Sequence, residues 1–294
     1  MKIIRQRVDG VLLLNKPVGI SSNAALQKAK WLLAALKAGH TGTLDPFADG
    51  LLPLCFGEAT KFSGYLLESD KRYRATMRLG ITTSTGDPEG EVLAERPVEA
   101  GCTEIASTLP RFVGEIEQIP PMHSALKHQG RPLYEYARAG IDIERPPRKV
   151  RIASLDLVDC TPPQVIFDVA CSAGTYVRTL AQDIGEALGC GAHLTGLTRI
   201  AAGGFELARA HTLDALDALP AEARHALLMP PDSLITHLPA EQLDATDAMA
   251  LRQGRQVAAR PGLAGLIRVY LKDDFIGLVD AAEGRLTPRR LMAT

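Results

Sequence analysis

An aspartate directly before a proline, with a histidine and two threonines crowded beside it, is where this sequence could hold chemistry. The stretch Gly39–Asp49 reads GHTGTLDPFAD. A carboxylate placed there could act as nucleophile or base. Pro46 biases Asp45 away from helical geometry, so its carboxylate belongs to an extended or turn residue. Gly39 and Gly42 permit positive φ and close approach of another group. Apolar segments flank the stretch, and a polar loop between hydrophobic walls is a common seat of function. An Asx-turn, in which Asp45 only bonds nearby backbone N–H groups, would explain the aspartate. It explains His40, Thr41 and Thr43 beside it less well. An aspartyl phosphotransferase would need a second aspartate two residues away and a Mg²⁺ site. Thr43 and Phe47 occupy those two positions.

Around that loop the hydrophobic pattern predicts the elements that must hold it. Val11–Leu14 reads as a buried strand. Ser21-Ser22-Asn23 is an N-cap signal, and Leu26, Ala29, Leu32, Leu33 and Leu36 predict a helix to about Ala38, with Gly39 as its C′ residue and Trp31 packed in the core. Leu51–Phe56 predicts a strand, Glu58–Leu66 a helix. Lys71–Leu79 alternates: Tyr73, Ala75, Met77 and Leu79 on one face, Arg72, Arg74, Thr76 and Arg78 on the other. Thr82–Gly90 is rich in turn residues. Pro120–Ile141 starts irregular and then predicts a helix over Pro132–Ala139, with Tyr134 and Tyr136 interleaved among basic residues. Arg148–Asp159 and Gln164–Cys171 predict an antiparallel pair across Pro162-Pro163. A helix opening at Gly174-Thr175 carries a core stripe from Val177 to Leu188. Arg178 sits in its first turn, where the macrodipole disfavours a cation, so it needs a carboxylate partner. Leu194–Ala208 returns as strand or hairpin around Gly203-Gly204. Two short helices and a Pro-rich joint at Met229–Asp232 precede a last helix and three strands.

The chain has 294 residues, 46% hydrophobic and 23% charged, which fits two domains, or a large domain with a small one. No apolar run approaches a membrane span. The N-terminus is basic, but only Val11–Leu14 is apolar and no small-residue cleavage site follows, so no secretory signal is read there. Five widely spaced cysteines without a CxxC predict reduced, buried thiols and a cytoplasmic protein. The formal net charge of −1 conceals zones. Residues 1–80 carry twelve basic against six acidic side chains, residues 81–126 two against eight, and residues 127–151 seven against three. Two basic zones form a polyanion footprint if the fold joins them; taken alone they are also compatible with ordinary solvated faces.

GHTGTLDPFADGLLPLCFGEATKF (Gly39–Phe62) resembles the motif of the bacterial tRNA pseudouridine-55 synthases of the TruB type. Four further stretches resemble the same family in the same order: LNKPVGISSN (Leu14–Asn23), DKRYRATMRLG (Asp70–Gly80), PPMHSALKHQGRPLYEYARAGI (Pro120–Ile141) and CSAGTYVRTLAQDIG (Cys171–Gly185). The resemblance implies an α+β fold with a mixed, largely antiparallel central sheet flanked by helices. It implies a catalytic domain over residues 1–232, with an RNA-contacting segment near 120–151, and a small β-rich PUA-like module over 240–294. Asp45 then corresponds to the essential catalytic aspartate, and Arg178 to the arginine paired with it. Tyr73 corresponds to the tyrosine that stacks on the target uracil, and Leu197 lines the uracil pocket. Tyr176 walls the pocket beside it, His40 fills space left by the flipped base, and Lys16 meets a phosphate.

The implied reaction breaks the N-glycosidic bond, turns the uracil and rejoins it through C5. It needs no redox change and no group donor, so no cofactor and no metal are expected, and the sequence holds no dinucleotide fingerprint or P-loop. The target base is stacked in the T arm of a folded tRNA and must be flipped out. Asp45 could attack ring C6 or sugar C1′, or assist proton abstraction from the ribose; the residues leave all three open. A monomer is expected. The competing class is a non-catalytic RNA-binding or ribosome-assembly protein on the same scaffold, which leaves Asp45 and Arg178 without a task.

Overall fold

A computed structural model describes residues 4–293; residues 1–3 and 294 of the two expected domain spans lie outside it. The chain enters the Asp45 loop from β1 (Gly10–Lys16), α1 (Ser22–Leu32) and β2 (Ala38–His40), and leaves along β3 (Asp49–Phe56). Next come α2 (Ser63–Leu67), β4 (Lys71–Leu79), β5 (Ile81–Thr83), β6 (Val92–Glu95), α3 (Cys102–Thr108) and β7 (Gly114–Gln118). A two-stranded ribbon of β8 (Lys127–His128) and β9 (Arg131–Pro132) precedes α4 (Leu133–Arg138). The long pair β10 (Arg148–Thr161) and β11 (Gln164–Cys171) leads to α5 (Val177–Ala187), β12 (Ala192–Ala202), β13 (Phe205–Glu206) and β14 (His211–Thr212). Two short helices, α6 (Leu213–Ala218) and α7 (Ala221–Ala226), follow.

Ten of these strands form one sheet in the order β14-β1-β3-β12-β4-β11-β10-β7, with β2 on β3 and β13 on β12, while β5 and β6 pair with each other apart from it. It is mixed and largely antiparallel, as expected; only β1–β14 and β3–β12 run parallel. β1 is buried along nearly its whole length, because one face meets α1 and the main core while the other meets a second core. That explains its unbroken apolar run. β4 alternates as its sequence demands, with Tyr73, Ala75, Met77 and Leu79 buried and Arg72, Arg74 and Arg78 exposed.

The chain ends in a five-stranded sheet, ordered β15 (Ala240–Gln242), β17 (Gly265–Leu271), β18 (Asp274–Ala282), β19 (Arg285–Leu291) and β16 (Val257–Ala258), with α8 (Ala245–Arg252) over its own small core. Leu278 and Phe275 reach out of it into the second core, where Phe275 packs against Phe62 at 5.3 Å between ring centroids.

Three expectations are corrected here. The first helix stops at Leu32, not near Ala38: Ala34 takes φ 49°, Leu36 is exposed, and Gly39 lies within β2 rather than capping the helix. Leu33 and Ala35 still reach the core, so hydrophobic spacing alone overran the turn. Trp31 is half exposed instead of packed, with the Lys28 ammonium 5.0 Å from its ring centre. Cys102 and Cys160 are joined as a disulfide, because α3 lies against β10 and brings their Cα atoms to 5.8 Å. A separation of 58 residues carries no sequence trace of that contact. Cys55, Cys171 and Cys190 are free and buried.

Candidate active site

The site forms at the seam where β3 and β12 pair in parallel, between the two halves of the sheet. There Tyr73 of β4 stands opposite Arg199 of β12, and Arg199 opposite Gly50 of β3. Gly50 is required: at φ 96° a Cβ would stand 2.5 Å from the Arg199 carbonyl oxygen. The loop before β3 crosses above this row and carries Asp45.

The carbonyls from Gly42 to Pro46 and several N–H groups of that loop are engaged, which helps hold a short irregular segment at a fixed geometry. The Leu44 N–H donates to the Ser22 hydroxyl at 2.7 Å, and that hydroxyl lies 2.9 Å from the Leu44 carbonyl. The Gly19 N–H donates to the Pro46 carbonyl, and the Ala48 N–H to the Asp45 carbonyl. Asp45 is thus a turn residue, as Pro46 implies, and its side chain is free to turn outward.

The Asp45 carboxylate meets Arg178 at 3.0 Å from Nε. Arg178 is buried although it sits in the first turn of α5. Its Nη1 pairs with Asp87 at 3.1 Å and donates to the Thr85 carbonyl, and its Nη2 donates to the His123 carbonyl at 2.6 Å. One guanidinium therefore serves two carboxylates and ties together the Asp45 loop, the turn at 82–90 and the start of the 120–151 segment. The place of Arg178 in a first helical turn implies one carboxylate partner, Asp45; Asp87 is a second that this placement does not reveal. Asp87, like Asp45, stands directly before a proline, but nothing in its polar turn marks it as buried.

A cleft of about 320 Å³ opens over these groups, a size suited to one small ligand or base. Asp45, Tyr73, Tyr176, Arg178 and Leu197 line it together, with Ser124–Leu126 along one wall. Tyr176 is the N-cap residue of α5, and the Arg148 guanidinium covers its ring at 4.9 Å. On the 120–151 segment, Arg131 and Arg138 cover Tyr136 and Tyr134 in the same way. Both tyrosines are half-buried under arginines, which places basic and aromatic surface beside the cleft.

Two expected site residues lie elsewhere. The expectation for Lys16 is corrected: its ammonium does not face solvent but is buried and donates to the Pro17 and Ile20 carbonyls at 2.8 and 2.7 Å. Burial pulls its pKa down to about 8, against Asp49 and Asp45, which favour the charge. It clamps the turn behind the Asp45 loop. His40 is in β2, outside the cleft lining, and its buried Nδ1 has no hydrogen-bond partner among the described residues. Burial, with Arg199 adding to it, lowers its pKa, so the imidazole is neutral at pH 7. Arg199, not among the residues expected at the site, is buried beneath the loop and lines the cleft. Its signal was available: it shares a strand face with buried Leu197.

Burial raises the Asp45 pKa above the ordinary aspartate value, and Asp87 adds to the rise, while Arg178, Lys16 and Arg199 oppose it. A carboxylate that must be ionised to react then loses activity on acidification earlier than a solvated aspartate would. The acid limb of the single-turnover rate is expected above the usual aspartate range. A rate constant flat down to that range would contradict the burial of the carboxylate.

The chain matches the family described as TruB family pseudouridylate synthase (N terminal domain) over residues 30–177. The tRNA pseudouridylate synthase B C-terminal domain matches over residues 178–236, and the C-terminal domain of pseudouridine synthase II TruB over residues 239–292. The tRNA pseudouridine synthase B of Thiobacillus denitrificans is 69% identical over 295 residues, covering 100% of this chain and 99% of that protein. That of Burkholderia mallei is 57% identical over 301 residues, covering 100% and 97%. Among solved structures, a chain of a Cbf5-Nop10-Gar1 complex aligns with a TM-score of 0.70 at 29% identity, over 92% of this chain and 78% of that one. A chain of an H/ACA RNP bound to a substrate RNA shares the fold with a TM-score of 0.72 at 24% identity, over 97% and 85%. A pseudouridine synthase fold, a carboxylate–guanidinium pair at its central cleft and near-complete relatives at this identity place the chain in one family: it belongs to the TruB family of pseudouridylate synthases.

Proposed function

We propose that this chain isomerises uridine 55 in the T loop of tRNA to pseudouridine, on a base flipped into the cleft. The observation that carries the reading is the Asp45–Arg178 pair at 3.0 Å, facing a cleft that Tyr73 and Leu197 also line. Asp45 supplies the carboxylate that acts on the nucleoside, and Arg178 aims it. Tyr73 offers a ring face to the uracil, while Leu197 and Tyr176 wall the pocket. Stacking on an aromatic ring contributes on the order of 1–3 kcal/mol per base, which helps offset the cost of unstacking it. His40 fills space that the flipped base leaves in the RNA loop.

The T arm is taken as the partner from the family resemblance, and the basic and aromatic groups of the 120–151 segment beside the cleft support an RNA partner. Arg72, Arg74 and Arg78 on the exposed side of β4 extend the basic surface of the first zone. We assign residues 1–232 to catalysis and 240–294 to a PUA-like module that adds RNA contact. The protein is proposed to work as a cytoplasmic monomer without cofactor.

The test is turnover on an unmodified T-arm stem-loop and on the same stem-loop with cytidine at position 55. Pseudouridine is expected at position 55 alone, and none when that position is cytidine. Product at another uridine, or none with either RNA, would overturn the assignment of the substrate position.

A further inference from the structure

Beneath the Asp45 loop lies a buried guanidinium that meets no carboxylate among the described residues. Arg199 is 2% exposed. Its Nε donates to the Tyr73 hydroxyl at 3.3 Å, Nη1 to the Gly42 and Leu51 carbonyls at 3.3 and 3.2 Å, and Nη2 to the Thr43 carbonyl at 3.0 Å. The guanidinium carbon stands 5.5 Å from the Tyr73 ring centre. Burying a cation without an anion is costly, so the neutral oxygens around it must be closely arrayed. A planar fork with five donors can meet four oxygens at once; an ammonium, with a point charge and three donors, cannot hold this set.

The partners are telling. Gly42 and Thr43 lie just before Asp45, and Leu51 lies in β3 just after the loop, so Arg199 holds both ends of the segment that carries the carboxylate. The same side chain holds the Tyr73 phenol from below, which sets how deep that ring stands in the cleft. The register already described, with Arg199 opposite Tyr73 on one side and Gly50 on the other, is what puts one guanidinium within reach of both.

We infer that Arg199 is a positioning residue for the isomerisation, fixing the distance between the Asp45 carboxylate and the uracil-facing ring of Tyr73 by binding the backbone of one and the hydroxyl of the other. The inference rests on the proposed roles of Asp45 and Tyr73. Its action is geometric. Without the fork, the Gly42, Thr43 and Leu51 carbonyls lose their buried donor, and the loop must turn to satisfy them. A misplacement of about 1 Å at a reacting group can lower a rate by about 100-fold.

The experiment measures single-turnover pseudouridine formation and tRNA affinity for the native protein and for Asp45→Asn, Arg199→Lys, Arg199→Met and Tyr73→Phe, each over a pH series. Arg199→Lys keeps the charge and loses the fork. It is expected to lower the rate by about 100-fold, with tRNA affinity and the acid limb where the native protein has them. Arg199→Met is expected to lose rate as strongly and also to move the acid limb to higher pH. The charged groups around Asp45 are Arg178 from α5, Lys16 from β1, and Asp87 and Glu89 from the turn before β6. Arg199 from β12 is one of three cations that hold its proton affinity down. Tyr73→Phe deletes only the hydroxyl; its loss of rate is expected not to add to that of Arg199→Lys.

Native rate in folded Arg199→Lys, or a deficit confined to tRNA affinity, would overturn the inference. So would additive losses in a variant that combines Arg199→Lys with Tyr73→Phe, measured alongside the single substitutions. Should neither Arg199 variant fold, Tyr73→Phe reads the same contact from its other side, and an undiminished rate there would overturn it equally. An inactive native protein would instead sink the functional reading itself, so the two failures are told apart.

Discussion

Asp45→Asn is expected to melt no lower than the native protein, to bind tRNA, and to form no detectable pseudouridine. The chemistry fails because an amide is a far poorer nucleophile and base than a carboxylate. The fold survives because Arg178 is shared: Asp87 still neutralises the guanidinium at 3.1 Å, and an asparagine oxygen can still accept from Nε. Linkage sharpens the expectation. The folded-state pKa of Asp45 is raised, by burial first. Its charged form therefore burdens the folded state at neutral pH, and that burden lifts as pH falls through the raised pKa. Asparagine removes the burden outright. The variant should match or exceed the native melting temperature at neutral pH, and the gap should close on acidification. Binding should persist or improve, since the RNA no longer meets a negative charge. An Asx-turn role forecasts the reverse: a lower melting temperature with turnover intact in the folded fraction. Substantial product from well-folded Asp45→Asn, with deamidation excluded, would end the assignment of this loop as the active site.

Removal of Arg178 should do what removal of Asp45 does not. Arg178→Met strands Asp87, which is almost fully buried and has Arg178 as its ion-pair partner. Breaking a buried pair from one side costs about 3–5 kcal/mol, because the remaining charge is uncompensated. The variant also releases the Thr85 and His123 carbonyls, which loosens the turn at 82–90 and the wall of the cleft. Pseudouridine formation should be abolished and the denaturation midpoint should drop sharply. A second substitution separates the two effects. Adding Asp87→Asn to Arg178→Met removes the stranded charge, so much of the stability should return while activity stays absent. A midpoint for Arg178→Met close to the native one would show that the pair carries no structural weight.

Local physics wrote much of this protein into its sequence. The alternation of β4 appears residue for residue, because a strand half-covered by helices must alternate. The turn character of Asp45 follows from Pro46, and the need of Arg178 for an anion follows from its place in the first turn of α5. The five motif stretches carried the family. What stayed illegible depends on residues far apart in the chain. Asp87 lies in a turn whose composition reads as solvent, yet α5 folds over it and buries it against Arg178, 91 residues on. Lys16 looks like a free charge after a strand, but the loop carbonyls of Pro17 and Ile20 wrap its ammonium. Cys102 and Cys160 meet only because α3 packs on β10. The end of α1 was overrun because its apolar spacing continues through a turn that a backbone bond from Leu36 to Gln6 enforces. Periodicity and turn chemistry thus determined the elements and the loop that holds the carboxylate. Strand register decided the rest: only when β12 lies between β3 and β4 do Arg199, Tyr73 and the Asp45 loop become neighbours, since a side chain buried in a sheet is assigned its partners by the strands beside it.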